Sequence, residues 1–286
     1  MHIAVIGLGE VGCAYARALQ RAGHTLLLCD HSPGAQAGEL AGNWGLPVHR
    51  SMGDWLGGCE WIFACVTGSV ALQVLEQCLP FAATQSTFCD WTTASPDTKR
   101  AASSAAGRQG LGYLDVAIMG AVALGAHKTP LLVAGDRALA FQDLLGQAGA
   151  KVSVIEGGMA GDAMALKLLR SIFTKGLEAL SVELLMTAER QGLRDKLYAQ
   201  LRDIDETPLQ SLLDMLVRTH VVHARRRAHE VREVVAEMAK THLQSLVLPG
   251  VQSRFDNTVS ELDRAPLAYA EPTTQQALQW LLGRQG

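Results

Sequence analysis

The first half of the chain alternates short apolar runs with stretches of helical periodicity. Short apolar runs between polar or glycine residues are typical of buried strands. We predict strands at residues 3–6, 25–29, 61–66, 86–90, 113–117 and 131–134, and a weaker last strand at 152–155. Helices are predicted between them at 11–22, 70–78, 95–109 and 139–147. This alternation indicates an α/β domain with a mostly parallel, doubly wound sheet.

The pattern changes after Gly161, where strand patterns almost vanish. Residues 162–191 contain no proline and a single glycine, with Asp162 as a candidate N-cap and Gly192 as a C-terminal stop. They therefore predict one long helix. At about 1.5 Å per residue it extends about 45 Å, long enough to leave the first domain and begin a second.

A second long helix is predicted at 209–242, with Thr207 as its N-cap and Pro208 at its first position. Its apolar stripe consists of Val217, Val221, Ala224, Ala228, Val231, Val235 and Met238. Shorter helices are predicted at 252–262 and 274–282. The chain is thus predicted to form an α/β domain, 1–160, and an all-α domain, 161–286, joined by the helix at 162–191.

The composition narrows the class of protein. The formal net charge is −3, and 48% of the residues are hydrophobic against 19% charged. These values argue against a disordered chain and against a nonspecific nucleic-acid binder. No stretch has the length of a membrane span and no basic segment precedes the first apolar run, so we expect neither a membrane anchor nor a cleaved signal peptide. The six cysteines match no zinc spacing, and a reducing cytoplasm is the expected compartment.

A glycine motif lies between the first predicted strand and the first predicted helix. Its residues are Gly7, Leu8, Gly9, Glu10, Val11 and Gly12, with the spacing G-x-G-x-x-G. The first glycine permits a tight turn, the second lets the backbone approach a pyrophosphate, and the third allows close packing of helix on strand. A plain glycine turn is the alternative. The position directly after a strand favours a Rossmann domain that binds a dinucleotide.

The second predicted strand ends at Asp30, 18 residues after Gly12. A carboxylate at this place accepts hydrogen bonds from the ribose hydroxyls of NAD and repels the 2′-phosphate of NADP. His31 and Ser32 follow, and a basic residue beside a hydroxyl can hold a phosphate. A solvated turn aspartate is the structural alternative. We therefore expect NAD as the cofactor, with NADP left open.

Four segments resemble the β-hydroxyacid dehydrogenase superfamily, which includes 3-hydroxyisobutyrate and 6-phosphogluconate dehydrogenases. They are the glycine motif and residues 90–96, 115–121 and 158–171, in the family's order. The resemblance covers most of the first domain and the first long helix. It implies that Thr93 approaches the nicotinamide ribose. The residues alone indicate a Ser/Thr helix cap directly before Pro96, and both can be true. Val66 and Thr67, at the end of the third predicted strand, are also expected at the cofactor.

The segment at 115–121 resembles the family's substrate loop D-A-P-V-S-G-G. Met119 stands where the family has serine, so the hydroxyl is missing, whereas the backbone amides of Gly120 and Ala121 remain able to hold a carboxylate. The resemblance therefore implies a small anionic substrate.

The segment at 158–167 resembles the family's G-x-x-G-x-G-x-x-x-K, with Ala163 in place of the third glycine. The match implies that Lys167 is the catalytic acid and base. Without the resemblance, a solvated surface lysine would be the default interpretation. Ser171 stands where the family has asparagine to orient the substrate, which puts the usual substrates in doubt.

A cluster of basic residues lies on the second long helix. His223, Arg226 and Arg227, with Glu230, match the pattern H-A-x-R-R-x-x-E of a subgroup with a phosphogluconate-dehydrogenase-like C-terminal domain. An arginine pair suits a substrate carboxylate or phosphate, whereas a charged surface with local ion pairs is the plainer interpretation. We expect no metal site here, because the arginines repel a cation and no cysteine or carboxylate joins His220, His223 and His229 at ligand spacing.

These features predict an NAD(P)-dependent oxidoreductase that transfers hydride between a nicotinamide and a small β-hydroxy acid, or the corresponding semialdehyde or keto acid. An NADPH-dependent imine or semialdehyde reductase is the alternative. A cofactor-sensing protein without catalysis is a third hypothesis, suggested by the residues at Met119, Ala163 and Ser171. The resemblance also implies a homodimer formed through the helical domain. Neither a nucleic acid nor a membrane is expected as a partner.

Overall fold

The computed structural model describes residues 1–284. It divides into two compact units, one of residues 1–171 and one that begins at Ile172. The first unit is an α/β domain and the second consists of helices. The division falls within a single long helix, which contributes residues to both units.

Eight strands form one sheet in the first unit. They are β1 (His2–Ile6), β2 (Thr25–Cys29), β3 (Val48–His49), β4 (Trp61–Ala64), β5 (Thr87–Asp90), β6 (Gly112–Ile118), β7 (Leu131–Gly135) and β8 (Val152–Val154). Their spatial order is β3-β2-β1-β4-β5-β6-β7-β8, and all neighbours are parallel except β6 and β7. The mostly parallel sheet and all seven predicted strands are confirmed. The two-residue strand β3 was missed because it is too short to form an apolar run.

Twelve α-helices are described, eleven of them wholly in one unit or the other. They are α1 (Glu10–Arg21), α2 (Ala35–Trp44), α3 (Ala71–Cys78), α4 (Pro96–Gly107), α5 (Val122–Gly125), α6 (Ala138–Gln147), α7 (Asp162–Arg190), α8 (Arg194–Gln200), α9 (Arg202–Asp205), α10 (Leu209–Lys240), α11 (Leu248–Arg264) and α12 (Thr274–Leu282). Helices α2, α5, α8 and α9 were not predicted. Within residues 1–284, no helix is both long and apolar enough to cross a membrane.

The helix ends test the predicted caps. Ser95 caps α4 by accepting from the Thr98 amide at 3.1 Å, and Gly192 follows α7 with φ of +67°, as predicted. The predicted cap at Thr207 is wrong, because α10 begins at Leu209 and the Thr207 hydroxyl donates to the Asp203 carbonyl at 2.6 Å.

The predicted N-cap at Asp162 is also wrong. Its carboxylate accepts from the Met159 amide at 2.9 Å, in the turn before the helix. The first amides of α7 donate instead to Asp115, on the distant strand β6.

The core of the first unit covers both faces of the sheet. Ile3 and Val5 pack in one cluster, while Ala4 and Ile6 pack in the cluster on the opposite face. This alternation follows from the two-residue period of a strand. On the first face, an aromatic group of Trp61, Phe63, Trp91 and Phe141 packs with ring centroids 5.3–5.8 Å apart.

The second unit is built on α10, which packs against α11 and α12. Val221, Ala224, Ala228 and Met238 of the predicted stripe are buried, and its other members are partly buried. At the edge of this stripe, Arg225 pairs with Asp263 at 2.5 Å and Arg232 pairs with Asp256 at 3.0 Å. The flanking arginines therefore border the contact between α10 and α11.

The aromatic group predicts a large loss of stability when it is truncated. Phe141 is 0% exposed, so Phe141→Ala leaves a cavity and should lower the free energy of unfolding by about 3–5 kcal/mol in urea denaturation. Leu139→Ala is the matched control on α6, because Leu139 is 68% exposed and its loss should change the free energy by less than about 0.5 kcal/mol. Equal losses in the two variants would contradict this account of the core.

Candidate active site

Five neighbouring strands end at the edge of the sheet where the predicted site residues lie. One predicted site residue lies shortly after the end of each of these strands. They are Asp30 after β2, Gly7 after β1, Thr67 after β4, Thr93 after β5 and Met119 after β6. The chain runs outward from β1 to β3 and then returns to β4 on the other side, so β1 and β4 flank the point where the winding reverses. In open α/β sheets, ligands bind in the crevice at this point.

The glycine motif has the geometry of an anion cradle. Gly7 has φ of +87°, and a Cβ there would lie 2.6 Å from the Cys65 carbonyl oxygen. A Cβ on Gly12 would lie 1.9 Å from the Gly7 carbonyl oxygen, so both positions require glycine. Gly9 faces open space and precedes α1, whose first turn receives no side-chain cap. The residues present therefore fit a pyrophosphate at the start of α1.

Asp30 connects the glycine motif to the end of β2. Its Oδ2 accepts from the Leu8 amide at 2.7 Å and its Oδ1 accepts from the Ser32 amide at 2.9 Å. The bond from the Ser32 amide closes a local turn, as expected if Asp30 were a turn aspartate. The first bond fixes the carboxylate against the cradle. Each oxygen retains a lone pair, so the group remains able to accept from a ribose hydroxyl.

A cleft of about 830 Å³ opens beside the glycine motif. Gly7, Gly9, Asp30, Val66 and Thr67 are among the predicted residues that line it. Side chains that the sequence did not single out complete the wall, among them Met52, Val70, Val74, Pro80, Phe81 and Arg50. The apolar ones form a surface suited to a flat ring, as small-molecule sites commonly do.

Arg50 is the charged residue of this wall that sequence reasoning missed. Its Nη1 donates to the His31 carbonyl at 3.2 Å, and no carboxylate within the described part of the chain lies within 4 Å of it. Beside it, the His31 ring and the Ser32 hydroxyl share a hydrogen bond of 3.1 Å. A cation, an imidazole and a hydroxyl therefore meet next to Asp30. Arg50 follows a two-residue strand and carries no motif, which is why no sequence pattern indicated it.

Thr93 lies beside the loop that contains Thr67. A Cβ on Gly68 would come within 2.8 Å of the Ala94 nitrogen, so the loops after β4 and β5 touch. The Thr92 hydroxyl is buried and accepts from the Ala94 amide at 3.1 Å, whereas Thr93 is exposed. The structure thus gives the turn-forming role to Thr92 and leaves Thr93 open to a ligand, while Ser95 caps the helix.

A buried polar cluster lies where β5 and β6 end. The Lys99 ammonium is 2.7 Å from Asp115 Oδ1 and 3.5 Å from Asp90 Oδ1, and it donates to the Asp90 carbonyl at 2.9 Å. The Tyr113 hydroxyl donates to Asp90 Oδ2 at 2.5 Å. Burial and the Asp90 carboxylate raise the pKa of Tyr113, so the hydroxyl keeps its proton. Lys99 was missed because a lysine on a helix normally indicates a solvated residue.

Lys167 follows in the second turn of α7 and is half-buried. Burial lowers its pKa, and the Lys99 charge lowers it further, while Asp115 opposes the shift. One turn later, the Ser171 hydroxyl donates to the Lys167 carbonyl at 2.9 Å. Ser171 therefore has its proton engaged and keeps a lone pair that faces outward from this bond. A lysine whose pKa is lowered gives up its proton more readily than a solvated one.

The loop after β6 is held by its backbone. The Met119 amide donates to the Pro130 carbonyl at 2.8 Å, and the Met119 carbonyl accepts from Arg170 at 3.4 Å. Gly120 and Ala121 are exposed, and their amides donate to no acceptor within residues 1–284. Two adjacent free amides are a suitable site for a carboxylate.

The basic cluster of the second unit is held by local contacts. Arg226 pairs with Glu230 on the same helix, His223 is exposed, and Arg227 donates to the Thr219 hydroxyl at 2.9 Å. The local ion pair fits the plainer interpretation for Arg226. Arg227 has no carboxylate within 4 Å among the described residues and stays a candidate anion ligand.

The nearby histidines are not gathered together. His220 bonds to the Thr258 hydroxyl at 2.8 Å and His229 lies 3.4 Å from Glu233. Burial lowers the pKa of His220, and Arg254 and Arg227 lower it further. Within the described part of the chain, no group of three metal-binding side chains was found.

Comparison with known proteins places the chain in a family. Residues 2–158 match the model for the NAD binding domain of 6-phosphogluconate dehydrogenase, and residues 188–258 match a domain of unknown function, DUF1932. The chain is 24% identical to an uncharacterized 28.5 kDa protein of Methanothermus fervidus over 255 residues, or 89% of this chain and 98% of that protein.

Two further relatives carry names. The chain is 28% identical over 196 residues to the "Probable 3-hydroxyisobutyrate dehydrogenase" of Mycobacterium tuberculosis, which is 67% of this chain and 65% of that protein. An imine reductase variant from Myxococcus stipitatus, in complex with NAD⁺, has a TM-score of 0.78 at 18% identity and covers 98% of this chain and 99% of its own. The similarity to the imine reductase, at 18% identity, concerns the fold alone.

These matches confirm three predictions, namely the superfamily, the Rossmann domain followed by helices, and an NAD-binding domain. Since the first model matches more than half of the residues, the chain belongs to the 6-phosphogluconate dehydrogenase NAD-binding family, within the β-hydroxyacid dehydrogenase superfamily.

Proposed function

We propose that the protein transfers hydride between a nicotinamide dinucleotide and a small β-hydroxy acid or its semialdehyde or keto acid. Lys167 is the general base in oxidation and the general acid in reduction. The observation that carries this proposal is the state of Lys167, which is half-buried, has a lowered pKa and lies on a helix whose first turn is bound by Asp115 of β6.

The remaining groups have roles that follow from their contacts. The nicotinamide supplies the hydride acceptor or donor when the cofactor is bound. Asp30 accepts from the adenosine ribose, and Thr93, on the adjoining loop, contacts the nicotinamide ribose. The free amides of Gly120 and Ala121 hold the substrate carboxylate, and the Ser171 oxygen accepts from the substrate. His223, Arg226 and Arg227 are the proposed anion ligands of the second unit.

An imine or semialdehyde reductase is the second candidate, and Met119 is the observation that favours it. An apolar thioether replaces the hydroxyl residue of the substrate loop, which removes one donor for an acid and adds apolar surface. Initial rates would separate the two: 3-hydroxyisobutyrate with NAD⁺ should turn over under the first proposal, and a cyclic imine with NADPH under the second.

Removal of the Lys167 amine should abolish proton transfer while leaving the cofactor site intact. We expect Lys167→Ala to lower kcat by roughly 10²–10⁴-fold, since a positioned acid or base contributes about that factor. Its thermal shift with NAD⁺ should stay as in the wild type. Lys175→Ala is the control on the same helix, because Lys175 is exposed and forms a surface ion pair with Glu178. Wild-type turnover of Lys167→Ala would disprove the assignment.

The pH dependence should follow the lowered pKa of Lys167. In oxidation the neutral amine accepts a proton, so kcat/KM rises with pH as Lys167 loses its own proton. In reduction the protonated amine is required, so kcat/KM falls over the same range. Because the pKa lies below the ordinary lysine value, both limbs should occur below that value. If kcat/KM for oxidation and kcat/KM for reduction changed over different pH ranges, one lysine could not serve as the acid and base in both directions.

Cofactor choice should depend on Asp30 and Arg50. Ligands of the folded state raise the melting temperature according to affinity, so NAD⁺ and NADH should raise it more than NADP⁺ and NADPH. Asp30→Ala should reduce the NAD⁺ shift and raise the relative response to NADP⁺. Arg50→Ala should abolish any NADP⁺ response and leave the NAD⁺ shift in place. No shift with any of the four dinucleotides would contradict the proposed function.

We also propose that the protein forms a homodimer through its helical unit. Ile172, Leu177 and Val182 on α7 are 50–74% exposed. The helix carries apolar side chains on all of its faces, which is typical of a helix that is covered on all sides. Sedimentation should give twice the chain mass of 30.6 kDa. Ile172→Asp should shift the equilibrium to the monomer, whereas Leu139→Asp, at an exposed leucine of the first unit, should not. A wild-type monomer at micromolar concentration would contradict the proposal.

A further inference from the structure

Lys99 is a fully buried lysine for which the proposed reaction has no use. It is 0% exposed, and its ammonium lies between the carboxylates of Asp90 and Asp115. A buried ion pair stabilises a fold poorly, because removing two charges from water costs as much as their attraction returns. Packed apolar residues would serve stability equally well. The presence of a lysine here therefore calls for a role other than stability.

The pair is joined directly to the helix that carries Lys167. Asp115 uses Oδ1 for Lys99, and its Oδ2 accepts from the amides of Gly161 and Met164 at 3.1 and 3.0 Å. These amides belong to the start of α7, where the backbone donors have no partner in the helix itself. Lys167 lies three residues after Met164 and thus on the same helix face. One carboxylate links the buried ammonium to the first turn of this face.

The approach of α7 to α4 is also tightly constrained at Gly161. Its φ is +92°, and a Cβ there would lie 2.7 Å from the Pro96 carbonyl oxygen and 3.2 Å from the Arg100 side chain. The start of α7 therefore packs directly on the helix that carries Lys99. Because the start of α7 is both bound by Asp115 and packed against α4, a displacement of the Lys99–Asp115 pair is expected to displace the start of α7 as well.

The other charged groups nearby differ in their exposure. Asp90 and Tyr113 belong to the buried cluster itself. On the surface of the same elements, Arg100 on α4 lies 3.8 Å from Asp162 on α7, and Arg170 on α7 reaches the Met119 carbonyl. These exposed groups act through water, which screens them. Besides burial, the charges of Lys99 and Asp115 are those that shift the pKa of Lys167.

We propose that Lys99 and Asp115 are positioning residues for Lys167, in which Asp115 fixes the first turn of α7 and Lys99 supplies a positive charge that favours the neutral form of the catalytic amine. This inference rests on the proposed function, since it gives Lys167 its task. It extends that function by assigning the control of its proton to a buried pair on α4 and β6.

The two charges act on Lys167 in opposite directions, which provides a test. Lys99 lowers the pKa of Lys167 and Asp115 raises it, with Lys99 the larger of the two effects. Lys99→Met should therefore raise the pKa of Lys167, and Asp115→Asn should lower it. The double variant, which combines these two changes, removes both charges and should raise the pKa by less than Lys99→Met alone. A purely structural role would move the pKa upward in all three, because a loosened helix exposes the amine.

The measurement is a pH titration of the lysine ¹³Cε signals by NMR in the full chain, without substrate. Lys167→Arg assigns the signal, because it removes that one resonance. Arg108→Gln is the control, since it removes an exposed positive charge at the end of α4 and should leave the Lys167 titration unchanged. The double variant guards against misfolding, because it removes the Lys99 ammonium and the Asp115 carboxylate together, while Asp90 still accepts from the Tyr113 hydroxyl and the Thr92 amide.

Opposite shifts in the single variants support the proposal. If Asp115→Asn does not fold, a smaller upward shift in the double variant than in Lys99→Met supports it, and if Lys99→Met does not fold, a downward shift in Asp115→Asn supports it. Shifts in the same direction, or no shift in the double variant, would overturn it. Failure of the proposed function is seen separately, because the titration needs no turnover. If Lys167→Ala keeps full activity while the opposite shifts occur, the proton assignment of the reaction fails and the electrostatic coupling stands.

Discussion

The buried ammonium of Lys99 is the constraint on which the arrangement of the site depends. It lies between carboxylates from two adjacent parallel strands, whose residues Asp90 and Asp115 are register partners. An unpaired charge held away from water costs several kcal/mol, so Lys99 and its two carboxylates have to stay together. The ends of β5 and β6 and the start of α7 are therefore fixed by one network, and Tyr113 completes it by donating to Asp90.

The cofactor side of the site depends on a different constraint, which is steric. The close approach of Gly12 to Gly7 brings α1 onto β1, and Asp30 ties the loop between them to β2. These contacts involve backbone and one carboxylate, so they hold without any large side chain. The two constraints act on one sheet, since the order β1-β4-β5-β6 places the cradle at the end of β1 and the charged cluster on β5 and β6, with only β4 between them. The parallel sheet thus brings two independently fixed halves together.

The sequence predicted those parts of the structure that depend on neighbours along the chain. The strands and the glycine motif are local patterns, and the caps at Ser95 and Gly192 involve residues within one turn. The caps at Thr207 and Asp162 were wrong, and at α7 the amides are bound by Asp115, 46 and 49 residues away in sequence. Arg50 and Lys99 were missed for the same reason, because only the fold shows which residues surround them. Contacts between residues that are far apart in the sequence, such as those of Asp115 with α7 and with Lys99, are not encoded in a local pattern.

The substitution at Met119 changes how the proposed site recognises its substrate. Its amide and carbonyl are both engaged, so the loop keeps its path without the family's hydroxyl. In the proposed function, recognition of a carboxylate then rests on the amides of Gly120 and Ala121, which any substrate acid satisfies equally. The thioether, by contrast, contributes apolar surface whose discrimination between substrates is worth about 1–3 kcal/mol per methylene. Under the proposed function, backbone amides therefore fix the charge of the substrate, and the side chain at Met119 selects its shape.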